Sequence, residues 1–335
     1  MRLLIVIPHQ PQNTGNAVTA ERFSIELRKL GWQVDIIETN DDTPTTIEQA
    51  LSHQDYVVVL LLHAYRTGRP WLMTNHSGKP QVALLMTGTD QNRDLVHPER
   101  GAIIRRVQQA AKTVIVQNRL LHQQLQNDGG LDTNKLRLLP PGISLGSQSY
   151  PLRESLNVPD NKPLLLHPAS LRPVKQNLEL LQMTNSLARN HDFCLAFCGP
   201  QLDPAYAAQF FAALEQRPWA RYLGEIPSAA MPDAMRQADV ILNNSSSEGL
   251  PNALVEACTL GRPILARAID GNRALVEEGA NGLLFANTEE FDQQASRLIE
   301  DADLRQALSR PNPNSFSPAV EAKRLDEILG TMVRE

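Results

Sequence analysis

Strand-like segments that alternate with helical segments constrain the fold of this chain most strongly. In the first half, the strand-like segments are Leu3–Ile7, Gln33–Glu38, Tyr56–Leu62, Gln81–Met86 and Thr113–Gln117. Helical patterns lie between them, including Val18–Leu30 and Gly101–Ala111. Most of these strands are apolar without interruption, and such strands occur in parallel sheets that helices cover on both faces. We therefore expect a doubly wound α/β domain.

The second half of the chain repeats this alternation. Its strand-like segments are Leu164–Leu166, Phe193–Phe197, Ala220–Leu223, Val240–Leu242 and Ile264–Arg267. Helical patterns lie near Asn177–Arg189, near Ala229–Gln237 and around Glu256. A segment rich in Pro, Gly and Ser, residues 140–151, separates the halves and predicts a hinge. A last amphipathic helix is expected from about Ala319 to Met332.

Composition and charge limit the classes of protein to which the chain can belong. A chain of 335 residues with 42% hydrophobic and 21% charged residues is typical of a globular protein with two domains. Residues 1–145 carry 15 Lys/Arg and 13 Asp/Glu, and residues 146–335 carry 17 Lys/Arg and 24 Asp/Glu. This distribution argues against a nucleic-acid partner, because nucleic-acid binding needs a clustered basic face. No apolar run is long enough to span a membrane, and the first eight residues resemble a strand rather than a signal peptide.

The three cysteines indicate packing rather than redox or metal chemistry. An odd number cannot pair completely, and no Cys-x-x-Cys motif is present. Cys194 and Cys198 lie four apart in an apolar strand pattern, so both should point to the same buried face. A reducing compartment fits this usage, and the predicted localisation is cytoplasmic.

The segment Ser247–Ala257 is the strongest functional signal in the sequence. It reads Ser-Glu-Gly-Leu-Pro-Asn-Ala-Leu-Val-Glu-Ala and follows a strand and a polar turn. A strand, a turn and a helix in this order direct backbone N–H groups at an anionic ligand. Ser247 or Glu248 is expected to start the helix, which would put Glu256 on the same side, about 12 Å further along the axis. The alternative is that Glu248 caps the helix and Glu256 is a solvated helical residue.

Polar residues also follow strands of the first half. His63 comes directly after the run that ends at Leu62, so it should lie at the carboxyl end of the sheet. Asp90 or Thr89 could bind hydroxyl groups or cap the next helix. Gly15 lies in a loop whose N–H groups could contact phosphate or an acceptor. Capping or packing roles are open for all of these residues.

The Ser247–Ala257 segment, followed by Gly-Arg-Pro-Ile at 261–264, closely resembles the donor-sugar signature of glycosyltransferase family 4. Other segments that are similar to this family, in the expected order along the chain, are the loop at Gly15, Leu139–Ile143, Leu171–Lys175, Tyr222–Ile226 and Glu278–Phe285. Members of the family generally carry Arg where Ser170 stands here, and Arg172 is the obvious substitute.

The resemblance implies a GT-B fold, in which two Rossmann-like doubly wound domains face each other across a cleft. The implied domains are an acceptor domain at 1–145, a nucleotide-sugar donor domain at 152–312, and a C-terminal helix at 313–335 that packs back on the first domain. These enzymes use nucleotide-sugars and retain the anomeric configuration.

The same resemblance implies roles for individual residues. Glu248 and His63 are the catalytic candidates, with Glu248 on the transferred sugar and His63 orienting it, and Glu256 would hold the ribose hydroxyls. The full set of donor-binding candidates is Glu256, Lys175, Arg172, Gly249, Leu250, Pro251, Asn252, Gly224 and Ile226. The acceptor-side candidates are Gly15, Asn16, Thr89, Asp90, Arg66 and Arg93.

Several first-half motifs also resemble the selenosugar synthase subgroup, which joins a sugar from a UDP-sugar to selenophosphate. They are Asn13–Asn16, Thr19-Ala20 with Arg22, Leu62–Ala64, and Thr87–Asp90 with Arg93-Asp94, and the second-half segments Leu202–Pro204 and Ile269–Asn272 belong to the same resemblance. Two segments depart from the subgroup: Glu-Gly-Leu-Pro at 248–251 replaces its usual Glu-Gly-Gly-Ala, and Ala64-Tyr65-Arg66 replaces its usual Ala-Arg-Arg.

The predicted function is a retaining glycosyltransferase that moves a sugar from UDP-GlcNAc or UDP-Glc to a small-molecule acceptor, an anion being one candidate. Alternatives are selenosugar synthesis, a GT-B epimerase or phosphorylase, and a nucleotide-sugar binding protein without catalysis. The prediction includes neither a metal nor a cofactor, because helix amides and basic side chains would stabilise the diphosphate. The sequence does not indicate an oligomeric state.

Overall fold

The computed structural model of the protein describes residues 1–9, 15–40, 42–75, 78, 80–87, 90, 94–311 and 316–334. The chain forms two compact units, one comprising Met1–Gly142 with Phe316–Glu335 and the other Ile143–Ser315. Residues 143–151 belong to the second unit, and of these only residues 146–151 lie between the two predicted domains. There, the backbone N–H of Gln148 donates to the carbonyl of Ala229 at 2.9 Å.

The first unit contains a parallel sheet. Within the described residues its six strands are β1 (Arg2–Pro8), β2 (Gln33–Thr39), β3 (Val58–Leu62), β4 (Gln81–Leu85), β5 (Thr113–Val116) and β6 (Leu136–Leu138). Their order in the sheet is β2-β1-β3-β4-β5-β6. The helices that follow strands in this unit are α1 (Gly15–Lys29), α2 (Thr45–His53), α3 (Gly68–Met73), α4 (Pro98–Ala110) and α5 (Arg119–Asn127).

The second unit contains a parallel sheet of the same kind. Its six strands within the described residues are β7 (Leu164–Pro168), β8 (Cys194–Cys198), β9 (Ala220–Tyr222), β10 (Val240–Asn243), β11 (Ile264–Arg267) and β12 (Gly282–Phe285). Their order is β12-β11-β10-β7-β8-β9. The helices are α6 (Leu152–Leu156), α7 (Asn177–Asn190), α8 (Pro204–Leu214), α9 (Met231–Gln237), α10 (Asn252–Leu260), α11 (Asp270–Arg273), α12 (Thr288–Glu300) and α13 (Ala302–Leu308).

Both faces of the first sheet are buried, as the continuous apolar strands predicted. Leu4 and Val6 of β1 pack in one core cluster, and their neighbours Leu3 and Ile5 pack in another. Successive side chains of a strand point to opposite faces, so an apolar residue at every position requires helices on both sides. The structure confirms the predicted α/β fold with two doubly wound parallel sheets.

The last helix, α14 (Pro318–Arg334), belongs to the first unit. Its residues Leu325, Leu329 and Met332 share a core cluster with Phe23 and Leu27 of α1. These three residues recur at helical spacing, which is the amphipathic pattern seen in the sequence.

The described part of the chain contains no helix with both the length and the hydrophobicity needed to cross a bilayer. Cys194, Cys198 and Cys258 are buried and unpaired. Burial raises the pKa of the Cys198 and Cys258 thiols to about 12, so both stay protonated and behave as packing residues.

Candidate active site

The strand order of the second unit locates a candidate site. Strands β7, β8 and β9 run outward in one direction along the sheet, and β10, β11 and β12 run outward in the other. The order therefore reverses between β7 and β10, which pair directly. Ligands of open α/β sheets bind beyond the carboxyl ends of the strands at such a switch point. Here the two loops are residues 169–176 and 244–251.

These two loops bring Lys175 and Glu248 together. The Lys175 Nζ atom lies 2.5 Å from Oε1 of Glu248, and the hydroxyl of Ser245 donates to the same oxygen at 2.6 Å. Both charged side chains are largely buried, with 16% of the lysine and 12% of the glutamate exposed. A donor-binding candidate and a catalytic candidate that lie 73 residues apart in the sequence thus form one ion pair.

Backbone and amide contacts fix the two loops relative to each other. The N–H of Ser246 donates to the carbonyl of Val174 at 2.9 Å, and the side-chain amide of Asn244 donates to the carbonyl of Gln176 at 3.0 Å. Gln176 has a positive φ of 48°, a conformation that few residues adopt without such support. The frame around the ion pair is therefore built from main-chain contacts.

Helix α10 begins later than the sequence suggested. It starts at Asn252, with Pro251 in an extended conformation as its N-cap, and no side chain caps it within the described residues. The expectation that Ser247 or Glu248 starts the helix was wrong, so Glu248, Gly249 and Leu250 lie in the loop before it. Glu248 is held by the loop that follows β7, and the two-turn helical spacing to Glu256 does not apply.

Glu256 lies in the second turn of α10 and has an unusual environment. Its Oε2 atom is buried and has no hydrogen-bond partner among the described residues. Burial raises the pKa of this carboxyl from 4.5 to about 7. A buried acceptor without a donor is uncommon in folded proteins and points to a ligand or to stored strain. The interpretation of Glu256 as a solvated helical residue was wrong.

The segment predicted to hold the base lies after β9. Gly224 has a positive φ of 73°, and its carbonyl accepts from the N–H of Gly199 at 2.8 Å. The hydroxyl of Tyr222 donates to the carbonyl of Gly199 at 2.5 Å. Gly199 has a φ of 139°, and a Cβ there would lie 2.6 Å from the carbonyl oxygen of Ala169. This tight packing joins the loops after β7, β8 and β9. The side chain of Ile226, the other candidate in this segment, is buried.

Arg172 and Lys175 differ in their surroundings although they share one loop. Arg172 is exposed and precedes the short 3₁₀ helix Pro173–Lys175. It forms no ion pair with any residue that the structure describes, in contrast to the paired Lys175. Its guanidinium is therefore accessible to an anion from solution.

His167, near the end of β7, was not singled out from the sequence. Its ring is fully buried, and Nδ1 lies 3.1 Å from the carbonyl of Leu242. Burial is the main reason that the pKa of the imidazole is lowered to about 4; the Lys175 charge acts in the same direction, and the Leu242 carbonyl and the Glu248 charge oppose it. The ring is therefore neutral, and it lies close enough to the ion pair for both charges to affect its pKa. The one sequence signal was a histidine at the end of an apolar strand.

In the first unit, His63 and Asp90 form a second polar group. The Nδ1 atom of His63 lies 2.7 Å from Oδ1 of Asp90, and both side chains are buried. Asp90 also accepts from the backbone N–H groups of Ala64 at 2.7 Å, Tyr65 at 3.1 Å and Thr87 at 3.0 Å. His63 has a φ of 91°, which is strained for a residue with a side chain. Asp90 is occupied by these donors, so its role is to position His63 and the adjacent amides.

The same group brings together three side chains that are possible metal ligands. Ligand atoms of His63, Asp90 and Asp94 lie within 4.8 Å of one another. Asp94, however, accepts from the guanidinium of Arg100 at 2.7 Å, and Asp90 is already surrounded by N–H donors. A cation would displace these donors or be repelled by Arg100. The donors present suit carboxylates that hold an imidazole better than a divalent ion.

The other acceptor-side candidates that the structure describes, Gly15, Asn16 and Arg66, follow β1 and β3. Gly15 is exposed and Asn16 half-buried at the start of α1. The Nη2 atom of Arg66 donates to the carbonyl of His9 at 2.9 Å. Thr89 and Arg93 lie outside the described residues, as do Asn13, Thr14 and Gly88. Nearby Arg69 pairs with Asp42 at 2.5 Å, so its charge is engaged at the surface.

Comparison with known proteins connects the second unit to one family. Residues 150–314 match the family model described as glycosyl transferases group 1. Over 307 residues the chain is 26% identical to the glycosyltransferase 1 domain-containing protein 1 of Xenopus tropicalis, a match that covers 88% of this chain and 87% of that protein. The match to sulfoquinovosyl transferase SQD2 of Arabidopsis thaliana, 26% identical, spans 62% of this chain but only 42% of that protein.

Solved structures share the fold at low sequence identity. Sucrose-phosphate synthase of Thermosynechococcus elongatus superimposes with a TM-score of 0.84 at 15% identity, covering 99% of both chains. HepE of Anabaena, solved in complex with UDP-glucose, superimposes with a TM-score of 0.78 at 15% identity, covering 99% of this chain and 100% of that one. Residues 150–314 thus resemble a glycosyl transferases group 1 domain, and the two parallel six-stranded sheets match the GT-B fold of sucrose-phosphate synthase and HepE.

Proposed function

We propose that the protein is a retaining glycosyltransferase that transfers a sugar from a UDP-linked donor to a small acceptor without using a metal. The observation that carries this proposal is the unpartnered, buried carboxylate oxygen of Glu256. It lies in the helix that follows the β7–β10 switch point, where Lys175 and Glu248 also meet. A fold alone does not specify a reaction, so the proposal depends on this site.

The nucleotide binds to the loops after β9 and to helix α10 in this proposal. Glu256 accepts hydrogen bonds from the ribose hydroxyls, which supply the donors that its Oε2 atom lacks within the described protein. The base packs against the segment that contains Gly224 and Ile226. The HepE complexes with UDP and UDP-glucose support a uridine nucleotide, since that protein shares the fold.

The diphosphate is stabilised by positive groups rather than by a metal. Lys175 is one of them, and the exposed guanidinium of Arg172 is a second, in place of the arginine that the family usually has at the position of Ser170. The amides of Gly249 through Asn252 lead into α10, whose N-terminus carries a partial positive charge. Together these groups stabilise the negative charge that develops on the leaving diphosphate, and such electrostatic stabilisation usually contributes most to catalysis.

In this proposal Glu248 contacts the transferred sugar, and His63 keeps the orienting role that the family resemblance implies. Glu248 accepts from sugar hydroxyls and stabilises the positive charge that develops at the anomeric carbon. The Nδ1 atom of His63 lies 2.7 Å from Oδ1 of Asp90 and 3.2 Å from the backbone N–H nitrogen of Arg66, and these contacts orient the ring. We assign no covalent nucleophile, and retention follows from attack on the face that the diphosphate leaves.

The acceptor is a small molecule bound to the first unit, near Gly15, Asn16, Arg66 and the Asp90 segment. An anionic acceptor such as selenophosphate is the second candidate, because planar guanidinium groups bind oxyanions in a bidentate manner. Arg66 is the described arginine on which this candidate depends. A hydroxyl acceptor requires no such group.

A product assay tests the proposal. UDP-glucose and UDP-N-acetylglucosamine are each incubated with water, a panel of hydroxyl acceptors, or selenophosphate, and products are identified by mass spectrometry with and without excess EDTA. We expect UDP release coupled to a glycoside of retained configuration, at a rate that EDTA does not change. Binding of UDP-sugars without any product would favour a binding protein, and a rate that EDTA abolishes and magnesium restores would overturn metal independence.

The acceptor is decided in the same assay. A product with a carbon–selenium bond would support the selenosugar alternative, and Arg66→Ala should then raise the apparent acceptor constant while UDP affinity is unchanged. Glycosides formed only with hydroxyl acceptors would exclude it.

A further inference from the structure

The short helix α11 packs against the main chain of Glu248. Strand β11, which precedes α11, pairs in parallel with β10, so the segments that follow both strands emerge at the same edge of the sheet. A Cβ atom added at Gly271 would lie 2.4 Å from the carbonyl oxygen of Glu248 and 2.7 Å from its Cβ atom. Gly271 is buried, and its φ lies outside the left-handed region. The glycine therefore serves a close approach to Glu248 rather than an unusual backbone conformation.

Asn272 gives α11 a second connection to Glu248, through hydrogen bonds. Its side chain is fully buried, and its amide Nδ2 donates to Oδ1 of Asn243 at 3.3 Å. The same oxygen of Asn243 accepts from the backbone N–H of Ser245 at 3.0 Å. The hydroxyl of Ser245 in turn donates to Oε1 of Glu248 at 2.6 Å. Helix α11 thus supports the carboxylate of Glu248 as well as its main chain.

Helix α11 is itself anchored to the second unit. The amide Nδ2 of Asn272 also donates to the carbonyl of Arg267, the last residue of β11, at 2.9 Å. The N–H of Val276 donates to the carbonyl of Asn272 at 2.8 Å, and the side chains of Leu275 and Val276 are buried. Loops yield more easily than elements that are packed in this way. A group added on α11 therefore pushes the loop that follows β10 rather than α11 itself.

We infer that α11 positions Glu248 toward the transferred sugar, and that Gly271 and Asn272 are the positioning residues. Both act through Glu248, so the inference rests on the proposed contact of Glu248 with the sugar. In that proposal the nucleotide is bound mainly by Glu256 and by the loops after β9. A displaced Glu248 should therefore impair sugar binding and transfer and leave nucleotide binding nearly unchanged. At a reacting centre, a misplacement of about 1 Å can lower a rate roughly a hundredfold.

Gly271→Ala tests the inference. A Cβ atom does not approach other atoms more closely than 3.0 Å, so the contact with the Glu248 carbonyl, 2.4 Å before adjustment, forces a separation of about 0.6 Å. We expect turnover of UDP-glucose in the product assay to fall about ten- to a hundredfold. In calorimetric titrations, UDP should bind within about twofold of wild type, and UDP-glucose should bind about three- to tenfold more weakly, as expected for weakened hydrogen bonds to the sugar.

Gly282→Ala is the matched control. A Cβ atom at Gly282, in β12, would lie 2.6 Å from the carbonyl oxygen of Ile264, and the φ of this glycine also lies outside the left-handed region. The control therefore overpacks the same unit against a different carbonyl. Urea denaturation should show that both variants are destabilised. Turnover per folded molecule and both affinities should stay at wild-type values in Gly282→Ala only.

Asn272→Ala is a second variant in case Gly271→Ala does not fold. It removes the hydrogen bond to Asn243 and leaves Gly271 in place. Turnover of UDP-glucose should fall about three- to tenfold, the loss expected for one hydrogen bond, while UDP affinity is unchanged. Turnover equal to that of wild type would overturn the inference.

Crystal structures of wild type and Gly271→Ala without ligand give a readout that does not depend on activity. The main chain of Glu248 should move by about 0.6 Å relative to β10. An unmoved Glu248 beside a displaced α11 would overturn the inference. Equal weakening of UDP and UDP-glucose in Gly271→Ala, or turnover that matches Gly282→Ala, would also overturn it and leave the donor site standing. If wild type forms no product and binds neither ligand, the proposed function fails, and the crystal structures alone decide whether α11 positions Glu248.

Discussion

Glu321 in the first unit is buried and Glu256 in the second is half-buried with its Oε2 atom inaccessible, and burial raises the pKa of both carboxyl groups. They differ in their partners. Glu321 accepts from Arg22 through Nε at 2.7 Å and Nη2 at 3.1 Å, and from the side-chain amide of Gln117 at 3.3 Å. Glu256 leaves Oε2 without a hydrogen bond to any described residue. One carboxylate is satisfied by the protein, and the other is not.

This difference separates a structural carboxylate from a binding one. Glu321 connects α14 to α1 and to the residue after β5, so its hydrogen bonds stabilise the first unit. The unsatisfied oxygen of Glu256 costs stability, and proteins tolerate such a cost mainly at sites of function. The rise in pKa does not distinguish the two roles, because burial raises the pKa of both carboxyl groups. The completeness of the hydrogen bonding does.

The largest expected effect follows from breaking the satisfied carboxylate. Glu321→Ala leaves Arg22, only 13% exposed, without its partner, and should lower the free energy of unfolding by about 3–5 kcal/mol. Urea denaturation measures the change, and Glu327→Ala on the exposed side of the same helix is the matched control. UDP affinity should be unchanged in both variants. A loss below about 1 kcal/mol, the range of exposed pairs, would mean that the Arg22–Glu321 pair is not structural.

Asp90 extends the comparison to a third carboxylate. It is satisfied like Glu321, but it lies next to the strained His63. Asp90→Ala strands at least two buried N–H groups, each worth about 1–3 kcal/mol, and should therefore destabilise the protein. It should also lower turnover with UDP-glucose, because His63 loses the group that orients its ring. Urea denaturation and the product assay measure the two effects. Full activity in a destabilised Asp90→Ala protein would remove His63 from the catalytic proposal.

A gain in stability is expected at the unsatisfied carboxylate. The pKa of Glu256 in the folded protein, about 7, lies above its ordinary 4.5. Its protonated form therefore stabilises the fold fully below pH 4.5, and this effect is lost as the pH rises through 7. A glutamine does not ionise, so Glu256→Gln does not lose this stabilisation as the pH rises. The variant should be more stable than wild type by about 1–3 kcal/mol at pH 8, with little difference at pH 4. Urea denaturation at the two pH values checks this, and parallel pH profiles would refute the burial effect.

The local sequence could not have distinguished the two glutamates. Val255-Glu256-Ala257 and Val320-Glu321-Ala322 are the same tripeptide, and both lie in amphipathic helices. Glu256 was singled out because its neighbours resemble a family signature, whereas Glu321 was not singled out at all. What separates them is Arg22, almost 300 residues away in the chain, and no periodicity of the sequence reports such a contact.

The fold was more predictable than the site for the same reason. Strands and helices depend on the local alternation of apolar residues, and the parallel sheets followed from it. The start of α10 was misplaced because Ser247 and Glu248 carry helix-capping side chains, but Glu248 is bound by Lys175 and Ser245 instead. The positive φ of His63 and the buried ring of His167 likewise arise from tertiary contacts.

The central claim is that the free oxygen of Glu256 is reserved for the nucleotide. The most direct test is calorimetric titration of UDP-glucose, whose diphosphate does not titrate near neutral pH, into wild type and Glu256→Gln at pH 8 and pH 6. At pH 8 the variant should bind roughly ten- to a hundredfold more weakly, since a charge-assisted hydrogen bond is worth about 1.5–3 kcal/mol. Wild type should lose about tenfold in affinity between pH 8 and pH 6 as Glu256 is protonated, and the variant should not. A Glu256→Gln protein that binds UDP-glucose as tightly as wild type at pH 8 would contradict the claim.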